Sequence, residues 1–253
     1  MIRRLCILLS VPLLLVNAYA QPRSPARADR VIIVPKQIVI VRSGEFVRRV
    51  PGRKKATIRY PFVSGLRDQK VLSKVRALLN FEKIFDTSLK EYREFNWLDE
   101  FDYEVNYNAD YLLDITFTQF GTSAYPDSQS RTIVINLRTG NVLKARDIFV
   151  EEKFTELARA VDEKLQTEVA ELIQAAKTNE DGPSIVEALK DLKFEVKNLD
   201  DLSISKDGVT FLYDVGFPHV HQAYEPVGRY LFSYSTLKPF VKPGGPLAPF
   251  VKP

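Results

Sequence analysis

Residues Gly121 to Phe149 read GTSAYPDSQSRTIVINLRTGNVLKARDIF. The first ten residues have the composition of a loop that closes one strand. Thr132-Ile133-Val134-Ile135-Asn136-Leu137 is β-branched and extended, and Arg138-Thr139-Gly140-Asn141 is a turn. Asp147-Ile148-Phe149 then ends the sheet segment and hands the chain to a helix. A strand followed by a tight turn, next to other strands and a long helix, decides for an antiparallel sheet with helices set against it.

The flanks agree with that reading. Upstream, Phe101, Tyr103, Val105 and Tyr107 alternate with Asp102, Glu104 and Asn106. A period of two predicts a half-buried strand. Asn108-Ala109-Asp110 is read as a hairpin turn into Tyr111, Leu113, Ile115 and Phe117. Downstream, Phe154, Leu157, Ala158, Val161, Leu165, Val169, Leu172 and Ile173 mark one helical face. A helix of about 25 residues cannot bury such a stripe alone, so it is expected to lie across the sheet. Asp181-Gly182-Pro183 stops it, and Ser184 to Leu192 reads as a further short helix.

Further out the signals weaken. Val31 to Val41 is β-branched and interrupted at Pro35-Lys36, with Gly44 turning it back into an extended Glu45 to Val50. Pro35 suits an edge strand. Pro61 to Leu66 reads as a turn. Asp68 caps a helix marked by Val71, Leu72, Val75, Leu78 and Leu79, and again by Ile84, Phe85, Leu89 and Tyr92; a break near Asn80 is left open. Strands are expected again at Phe194-Val196, at Leu202-Ile204, at Val209 to Tyr213 after the Ser205-Lys206-Asp207-Gly208 turn, and at 230–237. The class is therefore α+β: an antiparallel sheet packed against one long and one or two shorter helices.

The first twenty residues stand apart. Arg3 and Arg4 precede an apolar run, and Ala18-Tyr19-Ala20 offers small residues for cleavage, as in a secretory signal peptide. A lead at 21–30 is rich in Pro, Arg and Ala. One envelope domain is expected at 31–240, with a basic β arm at 31–59, and a Pro-rich irregular tail at 241–253. The single cysteine, Cys6, leaves with the signal, so no disulfide or thiol chemistry is expected in the exported chain. No later apolar span is long enough to cross a bilayer. The expected location is the periplasm or the outside of the cell, which removes nucleic acid as a partner. Charge is uneven: Lys36, Arg42, Arg48, Arg49, Arg53, Lys54, Lys55 and Arg59 face Glu45 alone, a local +7, and residues 61–253 sum to −7. Such a body attracts basic partners.

No catalytic recipe is legible. His219 and His221, with Tyr224 and Glu225 behind them, have the ligand types of a zinc site. Histidines two apart on an extended segment point to opposite faces, so no metal is assigned. Glu100, Asp102 and Glu104 share a strand face, as acid/base carboxylates of a glycan-active enzyme would, but such a face is also the wet side of a half-buried strand. There is no Gly-x-Ser-x-Gly elbow and no phosphate-binding glycine loop, and no cofactor is expected. The eleven tyrosines, sixteen phenylalanines and Trp97 are the better lead, because rigid amphipathic rings serve at binding surfaces. The binding candidates are Tyr92, Trp97, Tyr103, Tyr107, Tyr125 and Tyr224, with His219, His221 and Glu225.

Tyr60-Pro61-Phe62-Val63-Ser64-Gly65-Leu66 with its following helix resembles the opening of a domain found beside bacterial peptidoglycan deacetylases. Gly121 to Pro126, Ile135 to Gly140 and Asp147-Ile148-Phe149 resemble its centre, and Gly216 to Gly228 with Tyr230 to Leu237 its close. The combination, within 60–240, is similar to the DUF4163 and DUF3298 families and to the extracellular domain of the anti-sigma factor that senses lysozyme. Tyr125 stands where those relatives often carry histidine. The resemblance implies a non-catalytic binding module whose partner is an envelope protein, lysozyme or a peptidoglycan fragment. A lysozyme inhibitor and a glycan-active hydrolase or deacetylase are the alternatives.

Overall fold

The computed structural model describes residues 29–43, 45–49, 54–94, 97–122, 126–178 and 182–251. The signal segment at 1–20, most of the lead and Tyr125 lie outside them. In chain order the elements are β1 (Ile32–Val41), α1 (Glu45–Arg49), β2 (Lys55–Ser64), α2 (Gln69–Leu78), α3 (Phe81–Ile84), α4 (Leu89–Glu94), β3 (Leu98–Ala109), β4 (Leu112–Thr122), β5 (Pro126–Asn136) and β6 (Asn141–Val142). There follow α5 (Ala145–Ile148), α6 (Phe154–Ala176), α7 (Gly182–Lys190), β7 (Leu202–Ile204), β8 (Gly208–Leu212), β9 (Arg229–Ser233) and α8 (Tyr234–Leu237). Strands β1 to β6 form one sheet in sequence order, and β7 to β9 a second. All pairs are antiparallel except β2–β3. That parallel step needs a crossover, and α2 to α4 supply it.

Alternation along β4 assigns its two faces. Leu113, Ile115 and Phe117 point with Ile133 and Ile135 into a core roofed by Val71, Leu72, Val75 and Ile84. Leu112 and Val134 point the other way, into a core shared with α6, α7 and the second sheet. Asp68 caps α2 by accepting from the main chain of Lys70 and Val71. Asn80 caps α3 through Glu82 N, so the helical region is broken there. The cap satisfies an N-terminal donor that would otherwise lack a partner.

The α+β class expected from the sequence is the one observed, with a six-stranded and a three-stranded sheet, one long helix and several shorter ones. Several local readings change. Residues 45–49 are helical, not extended. β1 runs through Pro35, which lies opposite Pro61 on the edge strand of the sheet. Residues 61–64 belong to β2, and the reversal comes at Gly65, at φ +95°. The β3–β4 turn sits at Asp110 and Tyr111, both left-handed at φ 53° and 63°. A bulky residue pays for that conformation, and Tyr111 is held by Leu137 N on its carbonyl at 2.7 Å and by Arg138 stacked 3.5 Å from its ring.

A bulge between Val105 and Tyr107 breaks the period of two. Tyr107 therefore leaves the face of Tyr103 and packs against the opposite core. The supposed loop at 121–130 is mostly strand: β4 runs to Thr122 and β5 starts at Pro126. Phe194 and Val196 are not in a strand; residues 196–200 form a 3-10 turn. Residues 234–237 are a helical turn, not the end of a strand.

Helix α6 spans the range expected, but its partners are α7, β9 and the 3-10 turn at 196–200 rather than the middle of the large sheet. Polar bonds hold it there: Tyr230 OH donates to Glu168 at 2.8 Å, and Gln166 donates to the Leu192 carbonyl at 2.8 Å. The C-terminal residues are packed, and Ala248–Val251 form a 3-10 turn. Phe149 and Val241 form a bridge, Leu247 is fully buried, and the Phe250 ring stacks on Tyr234 at 4.9 Å. Apolar side chains between the prolines seat this segment, together with main-chain bonds such as Lys242 N to the Ile148 carbonyl at 2.8 Å.

Gly228 tests the join between β8 and β9. It sits at φ +62°, and a Cβ there falls 2.0 Å from the Tyr213 carbonyl oxygen. Gly228→Ala is expected to lower stability by roughly 2–3 kcal/mol, from a strained backbone and a contact only the main chain can relieve. A urea melt with a lower midpoint and an unchanged slope is the expected result.

Candidate functional site

The aromatic candidates do not assemble into one patch. Tyr92 is fully buried. Its hydroxyl donates to Gln119 at 3.0 Å, its carbonyl accepts from the Arg42 guanidinium at 3.1 Å, and burial pushes its pKa up to about 12. It is a core residue with no surface to offer a partner, because it points from α4 into the core under the large sheet. The Trp97 ring lies against Gly121, where a Cβ would stand 1.9 Å from it. Tyr103 is half-buried beside Phe117, with the Arg59 guanidinium 5.7 Å from its ring; burial raises its pKa and Arg59 opposes that. Tyr107, across the sheet, donates to Asp110 and meets Phe250 edge-on at 6.2 Å. Tyr224 packs against the core of the second sheet.

The histidine segment forms a 3-10 turn, His219–Tyr224. His221 Nε2 lies 3.3 Å from Ser184 Oγ. Glu225 turns back to accept from Gly216 N at 2.7 Å and Phe217 N at 3.3 Å, which fixes the loop. Among the described residues no three His, Cys, Asp or Glu side chains are placed to hold a metal. The strand carboxylates are on the outer sheet face as expected, and Asp102 pairs with Arg59.

A different feature emerges along β5. Its strand carries polar residues for half its length, yet stays paired to β4 as far as Pro126. Cross-strand bonds explain why: Thr116 to Thr132 at 2.8 Å, Thr118 to Ser130 at 3.3 Å, and Gln119 to Gln129 at 2.7 Å. On its other side β5 meets β6 only at Ile135 and Asn136, and Leu143 N donates to the Val134 carbonyl at 2.8 Å. Val134 therefore turns its main-chain groups outward. Direction alternates along a strand, so Thr132, Ser130 and Ser128 present theirs on the same edge. The Ser128 N–H donates to Asp127 Oδ1 at 2.8 Å. Among the described residues nothing bonds to the outward groups of Ser130 and Thr132.

This edge is the floor of a cleft of about 970 Å³ that runs into a second of about 780 Å³. The two share Ser130, Arg131 and Asp214. One wall is α2 and α3, with Lys74 and Lys83. The other comes from the second sheet, with Asp200, Asp201 and Asp214, and the second cleft adds Gln222 and Glu225. Arg131 on the floor donates to the Ile84 carbonyl at 2.6 Å. Asp200 is held by Ala145 N at 2.9 Å and Lys144 at 3.6 Å. Local desolvation raises the Asp201 pKa against the pull of Lys144 and Arg131.

Of the sequence candidates among the described residues, only Glu225 lines this cleft. The β5 edge was hidden because Asp127 to Arg131 has loop composition, and the walls because they come from segments more than about 40 residues away on either side. The signal available was the hydroxyl alternation Ser128, Ser130, Thr132 leading into the β-branched run.

The sequence matches no protein-family model, and it matches no curated protein. Solved structures do resemble it. A DUF3298-family protein from Bacteroides fragilis superposes with a TM-score of 0.54 at 14% identity, covering 90% of this chain and 99% of that one. A DUF3298-family protein from Pseudomonas aeruginosa gives 0.52 at 15%, covering 87% and 97%. The chain thus has the fold of DUF3298-family proteins.

Proposed function

We propose that the protein is an exported, non-catalytic module that recognises a protein or glycan of the cell envelope, with residues 31–240 as its single domain. The observation that carries this reading is the cleft over the β5 edge. Its lining of main-chain groups, hydroxyls and charges of both signs is suited to holding a ligand. The leader-like first twenty residues support export. Among the described residues no helix is long and apolar enough to cross a membrane. The resemblance of the 60–240 motifs to the deacetylase-associated and lysozyme-sensing domains supports the envelope as the setting.

A lysozyme inhibitor is the second reading. The −7 excess over 61–253 and the acidic cleft wall favour it, since such a surface draws in a basic enzyme. A glycan-active enzyme is favoured by nothing specific: Asp102 is engaged by Arg59 and Glu225 by the loop main chain.

Immobilised mature protein is expected to retain one component from an envelope extract, or lysozyme, or peptidoglycan fragments, above a denatured control. Retention of none of the three overturns the reading. Slowed lysis of cell walls by lysozyme in its presence selects the second reading over the first.

A further inference from the structure

We propose that the β5 edge captures an extended peptide segment of a partner protein, which adds as a strand and carries charges of alternating sign. This rests on the binding-module reading and names what the module takes.

The main-chain argument comes first. Ser130 and Thr132 each offer an outward N–H and C=O with no partner among the described residues. An unpaired strand edge is a template for another strand. Most edges are guarded by proline, lysine or a covering loop; here Pro126 stands at one end and β6 covers the other, and between them only the Ser128 N–H is taken, by Asp127, while Ser130 and Thr132 stay open. Five residues at about 3.3 Å each give a run of about 17 Å, enough for five residues of a ligand. The added strand would lie about 4.8 Å outside β5, within the space of the cleft.

The side-chain argument sets the sequence. Successive side chains of an added strand point to opposite faces. One set meets the α2–α3 wall, where Lys74 and Lys83 make no ion pair among the described residues. The other set meets Asp201 and Asp214. A ligand with acidic residues at every second position and basic residues between them is complementary to both walls, whereas a ligand with its charges in two blocks mispairs half of them. A glycan has no comparable means of continuing a sheet.

The test uses the mature chain and two capped heptapeptides of one composition, alternating Glu-Lys-Glu-Lys-Glu-Lys-Glu and blocked Glu-Glu-Glu-Glu-Lys-Lys-Lys. Binding of the alternating peptide, with slowed amide exchange at Ser130 and Thr132, is expected. The blocked peptide should bind at least about tenfold more weakly. Ser130→Pro removes an outward donor without touching the β4 ladder and should lower affinity by about tenfold, one lost hydrogen bond. Lys74→Glu/Lys83→Glu should weaken the same peptide. Equal binding of the two peptides, no binding of either, or a Ser130→Pro variant that is folded by circular dichroism and binds undiminished overturns the proposal. Envelope capture repeated with Ser130→Pro separates the two readings. Capture that persists, or displacement by peptidoglycan fragments alone, leaves the module reading standing and overturns the peptide edge; capture lost in wild type and variant alike removes both.

Discussion

Asp114→Ala is expected to destabilise the protein by about 3–5 kcal/mol, the cost of breaking a buried, fully bonded ionisable group. Asp114 lies on β4 with no exposed surface, on the face toward the second sheet. Its Oδ2 accepts from Ser203 Oγ at 2.7 Å and from Ile204 N, both on β7. Its Oδ1 accepts from Asn106 Nδ2 at 2.7 Å. Removing it strands donors from both sheets at the place where the sheets meet. Asp114→Asn keeps one acceptor for β7 and should cost less. Unfolding in urea measures both, and an alanine variant within 1 kcal/mol of wild type, a ~1 kcal/mol margin typical of surface changes, would remove Asp114 from this role.

The same residue predicts a pH effect. Burial raises its pKa above the usual aspartate range, against the hydrogen bonds from Asn106, Ser203 and Ile204. A raised folded-state pKa means that ionisation favours the unfolded chain. The contribution to stability is full below the unfolded pKa, near 3.9, and is lost as pH rises through the folded value. Wild type should therefore lose this component across that window, and Asp114→Asn should not. Denaturation midpoints of the two proteins, compared at several pH values from the ordinary aspartate range upward, read it directly.

Phe211→Ala should cost about 3–5 kcal/mol, as large-to-small changes in a closed core do. Phe211 on β8 is fully buried, with ring centroids of Phe232, Phe149 and Phe194 at 5.6, 5.8 and 6.1 Å. These rings tie β9, the segment after α5 and the start of the 3-10 turn to one point. The cavity left is walled by three separate segments, so no single one can collapse into it. In thermal unfolding each kcal/mol corresponds to about 2–4 °C for a chain of this size, so a drop of about 6 °C or more is expected. A smaller shift would mean that the second sheet repacks freely.

Side-chain pattern made much of the fold legible. The stripe from Phe154 to Ile173 predicted α6, Ser205 to Gly208 predicted the β7–β8 hairpin, and Asp68 predicted the cap of α2. The failures share a cause. Asp127 to Arg131 looked like a loop because its side chains are polar, yet it is strand because β4 pairs with it. Tyr107 looked like the next inward residue after Tyr103, yet a bulge that no side chain announces puts it on the other face. Phe250 looked like part of a loose tail, yet Tyr234 and Tyr107 lie where it can reach them.

By itself the sequence determined the class of the fold, the main helix, the central strands and the leader-like start, because these depend on short-range periodicity and composition. Only the tertiary structure decided that Pro126 to Arg131 belongs to a strand with an open edge. It also placed Lys74 and Lys83 opposite Asp201 and Asp214 across that edge. Pairing and the meeting of distant walls are long-range events, set by which strand lies alongside and which does not, and no local pattern encodes an absent neighbour.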